Sequence, residues 1–559
     1  MKTYLIVAVV VIGLLLLLFI YESHEQKKRL KRLLLKAKES YGKLNDKFLS
    51  PDDMESVKKF FYRYQTEESV DDITASDLEI DEIFNRFNTA LSAPGRDYFY
   101  RMLRTPKYDK SELEKLNKKV EALRNNEAAR DEMRSIFLMI SKMNGVNFFE
   151  CIDYFETIPE KSIFSELLPA LFMLVSVGTI FINSGLGIFL LIATLGYNVY
   201  SYYKSRGVVE SYIVCFSYIA KLIKSASRLS DRKFEELSEE YDKLDELTGR
   251  LKPLIKRVGL VVGNSNSTGA GSPLDIVADY SKMFFHTDIV AFYKMLQIFK
   301  AQKENVEEIY ILTGKIESYL VIASIREALP DFCIPGVSEG IAGENIYHPL
   351  IENPVKNSIV AHKGVLITGS NASGKSTFLK TVLLNVLFSK TIYTCMADSF
   401  SSDDYIMFSS MSLRDDLLHK DSYFMVEIKA LKRIFDYAEA HPDQKVLCFV
   451  DEVLRGTNTI ERIAACTQIL RKLNDMGILT FAATHDIELT SLLDDIYDNY
   501  HFDEEIKDDD VLFNYLIKPG KATSKNAIRL LSIMGFSEDI IDRAKLMADD
   551  FTQNGVWRA

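Results

Sequence analysis

The densest chemistry in the chain is the run Gly369-Ser-Asn-Ala-Ser-Gly374-Lys375-Ser376. It has the form G-x-x-x-x-G-K-S, and each part answers a need of phosphate binding. Glycines let the backbone fold closely around the anion. The N–H groups at the start of the following helix face its negative charge. Lys375 brings a point charge to the β- and γ-phosphates, and the Ser376 hydroxyl is suited to ligate Mg2+. The expected ligands are therefore ATP and Mg2+. The expected binding residues are Gly369, Ser370, Asn371, Ala372, Ser373, Gly374, Lys375, Ser376 and Thr377. Further on, Val446 to Val450 ends in Asp451-Glu452. An acidic pair at the end of a strand that follows such a loop is the Walker-B arrangement. Asp451 would share the metal with Ser376, and Glu452 would orient or deprotonate the attacking water. His485 closes a third apolar run, Ile478 to Thr484, and is placed to sense the γ-phosphate.

Those residues need a scaffold, and the sequence around them supplies one. Val365 to Thr368 reads as a buried strand entering the loop, and Phe378, Leu379, Val382 and Leu383 mark one face of the helix leaving it. From Gly336 onward short β-rich runs alternate with helical ones, which predicts a parallel α/β domain over 336–559. Upstream the texture is helical. Residues 22–70 form a charged linker, 71–165 a helical core, and 204–335 long helices that could act as levers. Within the lever region, 204–258 and 274–329 read as helix, and Gly263 to Pro273 as a flexible loop. The chain has 559 residues, enough for three or four units. Its formal charge is 68 − 79 = −11, which argues against a generic basic protein that coats nucleic acid. The cysteines are scattered without a CxxC pair, so neither a metal nor a disulfide framework is expected.

Two apolar runs place part of the chain in a membrane. Leu5 to Ile20 is uncharged and is followed by Lys27-Lys28-Arg29, which puts that side in the cytoplasm. Residues 1–21 are thus expected to be an uncleaved anchor. Leu167 to Tyr203 contains no charge and is long enough for two spans, with Asn183-Ser184-Gly185 as the turn. Lys161, Lys204 and Arg206 flank it, so residues 166–203 read as a hairpin entering from the inside. The expectation is three transmembrane helices in a bacterial inner (cell) membrane, with the helical and α/β parts in the cytoplasm.

The last part of the chain resembles the ATPase domain of the MutS-type mismatch-repair proteins, within the ABC-like ATPases. His348-Pro349-Leu350 resembles the family's His-Pro motif, and Thr368 to Thr377 its P-loop, with Asn371 at the family's Asn position. Ser422-Tyr-Phe-Met-Val-Glu427 and Asp451-Glu-Val-Leu-Arg-Gly-Thr-Asn-Thr459 resemble two further motifs, and Tyr515 to Gly520 resembles the start of the closing segment. The resemblance implies an α/β P-loop fold preceded by an all-α core, and a homodimer with composite sites. Ser422 would approach the partner's γ-phosphate, residues Arg455 to Thr459 would shape the dimer-facing loop, and His485 would match the family's post-strand histidine. Weaker similarity covers Asp77 to Pro106 and Ile316 to Pro335.

The departures from the family shape the functional expectation. No mismatch-reading domain or Phe-x-Glu wedge is recognised ahead of the core, where an anchor is expected instead. Leu454 replaces a usual glycine, Glu461-Arg462 replaces an Asp-Gly, and Ser370, Ala372 and Ser373 differ from the usual loop residues. Three functions are in competition. The first is a membrane-tethered, DNA-binding, mismatch-repair-like ATPase. The second is a mechanochemical ATPase acting on lipid or a membrane partner without DNA. The third is an ABC-like transporter ATPase, for which the spans lack ionisable residues marking a path.

Overall fold

The computed structural model describes residues 24–554, except 26–27, 29–30, 144–146, 160–161, 233, 256–279, 281, 371–372, 412–422, 455–456, 508–509, 523–527, 529–530 and 533–534. The expected anchor over 1–21, Asn371, Ala372, Ser422, Arg455 and the Gly263–Pro273 loop lie outside the described residues. The chain forms two compact units. One comprises residues 1–65, 87–101 and 115–328, the other 66–86, 102–114 and 329–559. The core expected over 71–165 is thus divided, because short helices at Asp72–Asp77 and Ile80–Phe87 pack with the C-terminal unit.

The first unit is helical. Phe60, Phe148, Phe149 and Tyr310 form its aromatic centre, with Phe148 stacked on Tyr310 at 4.1 Å. A hairpin projects from this unit. Helix α1 (Ile163–Ile180) is joined by a short turn to α2 (Ser184–Ser230), whose N-cap Asn183 accepts from the Leu186 N–H. The two backbones approach closely enough that a Cβ on Gly187 would lie 2.4 Å from Ile180 N. Ser176 and Thr194 hydroxyls meet across the pair at 3.2 Å. Small and hydroxyl residues at the contact suit helices packed without a hydrophobic drive between them. At the hairpin's base a polar collar docks the helix Thr287–Ala301. Tyr202 donates to Asp288 Oδ2 at 2.9 Å, Asn198 donates to the carbonyls of Pro169 and Phe284, and His286 Nδ1 lies 3.3 Å from Glu166.

Among the described residues two helical stretches are long and apolar enough to cross a membrane, Ile163–Ile180 and Ser184–Gly207. Only 17% and 11% of them is buried. The lever reading over 204–258 needs correction. Helix α2 stops at Ser230, and Ser238–Arg250 is a separate helix packed back along it. The polar run Ser230-Asp231-Arg232 interrupts the apolar stripe, and Arg232 is held by Glu132 at 2.6 Å. The long path out of the hairpin is α2 itself, 47 residues or about 70 Å. Helix α3 (Lys303–Ala328) completes this unit, and its buried Glu317 accepts from the N–H groups of Leu91 and Ser92.

The C-terminal unit is an α/β domain whose sheet is mixed, where an all-parallel one was expected. Its six strands run β5 (Ile406–Ser410), β6 (Val446–Asp451), β7 (Leu479–Thr484), β3 (Gly364–Thr368), β8 (Tyr497–Lys507) and β9 (Asp510–Pro519). Neighbours are parallel except β8 and β9. Those two are separated by too few residues for a parallel crossover, so they must pair antiparallel. A second, antiparallel sheet holds β2 (Asn357–Ala361), β1 (Ile341–Ile346) and β4 (Ser399–Ser402). Helices α4 (Lys375–Lys390), α5 (Tyr423–Ala440) and α6 (Thr459–Asp475) cover the large sheet. Strands β3, β6 and β7 are buried almost throughout, which explains why they read as uninterrupted apolar runs.

Candidate functional site

Sheet order assembles the site. Strand β7 lies between β3 and β6, and all three are parallel. Thr368 pairs with Thr484 and Asp451 with Ala483, so the three strands end at one edge. The loop after β3, the acidic pair after β6 and His485 after β7 therefore converge, although they are far apart in sequence. Ligands of α/β sheets sit at this carboxyl edge.

The loop from Gly369 to Gly374 turns directly into α4. Gly369 has φ +152 and Gly374 φ +104, conformations that L side chains avoid. A Cβ on Gly369 would also lie 2.9 Å from Ser373 Oγ. Lys375 folds back so that Nζ donates to the carbonyls of Gly369 and Ser370 at 2.8 and 2.7 Å. Burial lowers the pKa of this amine, opposed by the carboxylates of Asp451, Glu452 and Glu504. The Ser376 hydroxyl donates to Asp451 Oδ2. The two residues expected to share Mg2+ are thus in direct contact. Ser373 Oγ is buried without a hydrogen-bond partner, an orphan group of the kind a phosphate oxygen would satisfy.

A cleft of about 820 Å³ opens over the loop, a size common for small-molecule sites. Lys375, Ser376, Thr377, Asp451 and Glu452 form its phosphate end. His348, Ile351, Pro354, Val355, Phe502 and Tyr515 wall the rest. This second group was missed as a site. The resemblance drew attention to His348 and Tyr515, but nothing in local sequence says that segments before β2 and within β9 meet at one cavity. Asn357 holds them together: its Nδ2 donates to Tyr515 O at 2.9 Å, and its Oδ1 accepts from Ile517 N at 2.8 Å. His348 is neutral here, because burial drops its pKa to about 4. Its Nδ1 accepts from Leu350 N, which leaves Nε2 buried and without a partner in the cleft wall. The residues present fit a nucleotide with its metal.

The turn after β6 is held in an uncommon backbone state. Glu452 has φ +54 and Leu454 φ +57. Such residues persist where the surroundings over-determine them. Glu452 N donates to Ala483 O at 2.8 Å, and the buried carboxylate of Glu427 accepts from Leu454 N. Glu427 thus explains the last position of the Ser422–Glu427 motif. His485 stands beside Glu452, with Nδ1 3.5 Å from Oε1, outside the cleft wall.

Residues 365–552 match MutS domain V. The C-terminal α/β domain thus resembles MutS domain V. Curated relatives also match. The chain is 30% identical to the DNA mismatch repair protein MutS of Natronomonas pharaonis over 257 residues, which are 44% of this chain and 29% of that protein. It is 25% identical to the DNA mismatch repair protein MutS of Thermus thermophilus over 253 residues, 44% of this chain and 31% of that one. The MutS protein homolog 4 of Homo sapiens is 28% identical over 272 residues, covering 45% and 28%. The matched stretches span under a third of each relative's length. The domain V match spans the glycine-rich loop, the acidic pair and His485.

Proposed function

We propose that this MutS-family protein binds ATP with Mg2+ in the cleft, hydrolyses it, and works as a homodimer on DNA while its helical hairpin holds it at a membrane. The observation that carries the catalytic part is the convergence of Lys375, Ser376, Asp451 and Glu452 at one sheet edge. In this reading Lys375 leaves the two loop carbonyls for the β- and γ-phosphates, and the N–H groups at the start of α4 take the remaining charge. Ser376 and Asp451 would hold Mg2+, which supplies charge neutralisation on the phosphates. Glu452 orients the attacking water and accepts its proton on the carboxylate. His485 steadies Glu452.

Support for the membrane part is the exposure of the hairpin. Phe181 and Ile182 at its tip are 87% and 90% exposed, and Leu174, Phe189, Ile192 and Tyr200 are exposed along its sides. A soluble core helix would bury such residues. The DNA part rests on the family. A second reading, a mechanochemical device that acts on the membrane without DNA, is favoured by one observation: α2 runs unbroken from the hairpin into the helical unit.

The test is ATPase turnover of the purified full chain with and without duplex, mismatched and branched DNA, and with and without lipid vesicles. DNA affinity is measured in parallel across salt concentrations. Binding that weakens steeply with salt, together with DNA-dependent turnover, supports the first reading. Turnover that responds to vesicles and ignores DNA replaces it with the second. Absence of turnover under every condition overturns the ATPase itself.

A further inference from the structure

An ion pair outside the cleft joins the first turn of α6 to the residue after His485. Arg462 Nε and Nη2 donate to the two oxygens of Asp486 at 2.9 and 2.7 Å. Both side chains are largely shielded, 12% and 7% exposed. A guanidinium fork on a carboxylate is strong and directional. The Asp486 N–H in turn donates to Thr484 Oγ1 at 3.0 Å, so the carboxylate's own backbone is fixed. Arg462 stands where the MutS resemblance leads one to expect glycine.

Its location gives it a task. Glu452 and Leu454 follow β6 at positive φ, and Asn458 is the N-cap of α6. The Glu427 carboxylate and Ala483 O accept from the backbone N–H groups of Leu454 and Glu452. Arg462 ties the start of α6 to the end of β7. His485 lies between two carboxylates, 3.5 Å from Glu452 through Nδ1 and 3.8 Å from Asp486 through Nε2. With both Asp486 oxygens engaged by Arg462, the imidazole is left to Glu452. Without Arg462, Asp486 becomes a competing partner for it.

We infer that Arg462 and Asp486 are positioning residues for hydrolysis, acting through His485 on the carboxylate of Glu452. The inference rests on the ATPase reading above. Neither residue lines the cleft, so their loss should leave nucleotide binding intact and slow the chemical step.

The experiment compares wild type with Arg462→Met, Arg462→Lys, His485→Ala and Arg462→Met/His485→Ala, all as the full chain. Steady-state ATPase gives kcat and KM, and affinity for a non-hydrolysable ATP analogue confirms an intact fold. Arg462→Met is expected to lower kcat by about 10- to 100-fold, as small misplacements of a catalytic group do, with KM within twofold. Arg462→Lys, which keeps the charge and loses the fork, should fall between. The double variant should be no slower than the slower single one, because both act along one path. A wild-type kcat in Arg462→Met overturns the inference, and so do losses that multiply in the double variant. Lost analogue affinity in both Arg462 variants also overturns it, since the pair is then a fold contact. An inactive wild type would instead remove the ATPase reading on which the inference stands.

Discussion

At the scale of single residues, charge and proton placement carry the argument. Lys375 is a buried amine whose Nζ donates to two loop carbonyls, which a bound phosphate would replace in the proposed mechanism. Lys375→Ala is therefore expected to abolish measurable ATP binding, and near-normal turnover in that variant would show that this loop is not the catalytic one. His348 offers a pH test. Its pKa is about 4 in the folded chain, against roughly 6.5 for an unperturbed histidine. The unfolded chain therefore binds more protons between these values, and acid favours unfolding there. Full stability is present above about pH 6.5 and is lost progressively down to pH 4, by about 3 kcal/mol at most. Urea midpoints of wild type and His348→Gln across this window check the point. The variant should lose less stability on acidification, and parallel curves would mean that His348 does not contribute.

At the scale of elements, the hairpin is the part whose environment matters most. Helix α1 has 18 residues, or about 27 Å, close to the thickness of a hydrocarbon core. Leu174 lies within it and is 65% exposed. With Cys151, Cys215 and Cys333 replaced by alanine, Leu174→Cys can carry a fluorophore in vesicles. Quenching by brominated acyl chains and protection from aqueous iodide are expected. The reverse pattern would place the hairpin in water and remove the membrane reading. The turn at Phe181–Asn183 was legible from Asn183-Ser184-Gly185, because Asn caps a helix with its own side chain. The end of α2 at Ser230 was missed: the polar run Ser230-Asp231-Arg232 breaks the stripe of Tyr212, Phe216, Ile219 and Leu222, but only the fold-back of Ser238–Arg250 shows that this short break ends the helix.

At the scale of the whole molecule the predictions concern states. In the proposed mechanism Glu452→Gln keeps the phosphate site and loses the group that would take the proton. Hydrolysis should slow by about 10²-fold or more with binding retained. If the protein is a homodimer with composite sites, ATP should then shift the variant to twice the protomer mass in light scattering. A monomer at saturating ATP would remove the dimer proposal. Coupling between nucleotide and membrane must be reciprocal for binding. If lipid changes ATP affinity, ATP must change lipid partitioning by the same factor. Equal ATP affinity in vesicles and in detergent would leave the hairpin as an anchor alone.

Sequence by itself determined the glycine-rich loop, the acidic pair, the apolar runs and the likeness to MutS, because each is local. A glycine needs φ beyond a side chain's reach, a lysine carries its charge with it, and a strand buried on both faces must be apolar. The resemblance also marked His348, Tyr515 and Glu427, without saying what they do. Tertiary structure alone decided that β7 lies between β3 and β6 and so brings His485 to Glu452. It also decided that Asn357 closes the cleft, that Glu427 holds the turn at Leu454, and that Arg462 reaches Asp486. Those contacts join residues separated by many turns of chain, and their partners are fixed by strand order and helix packing, which no short run of residue types encodes.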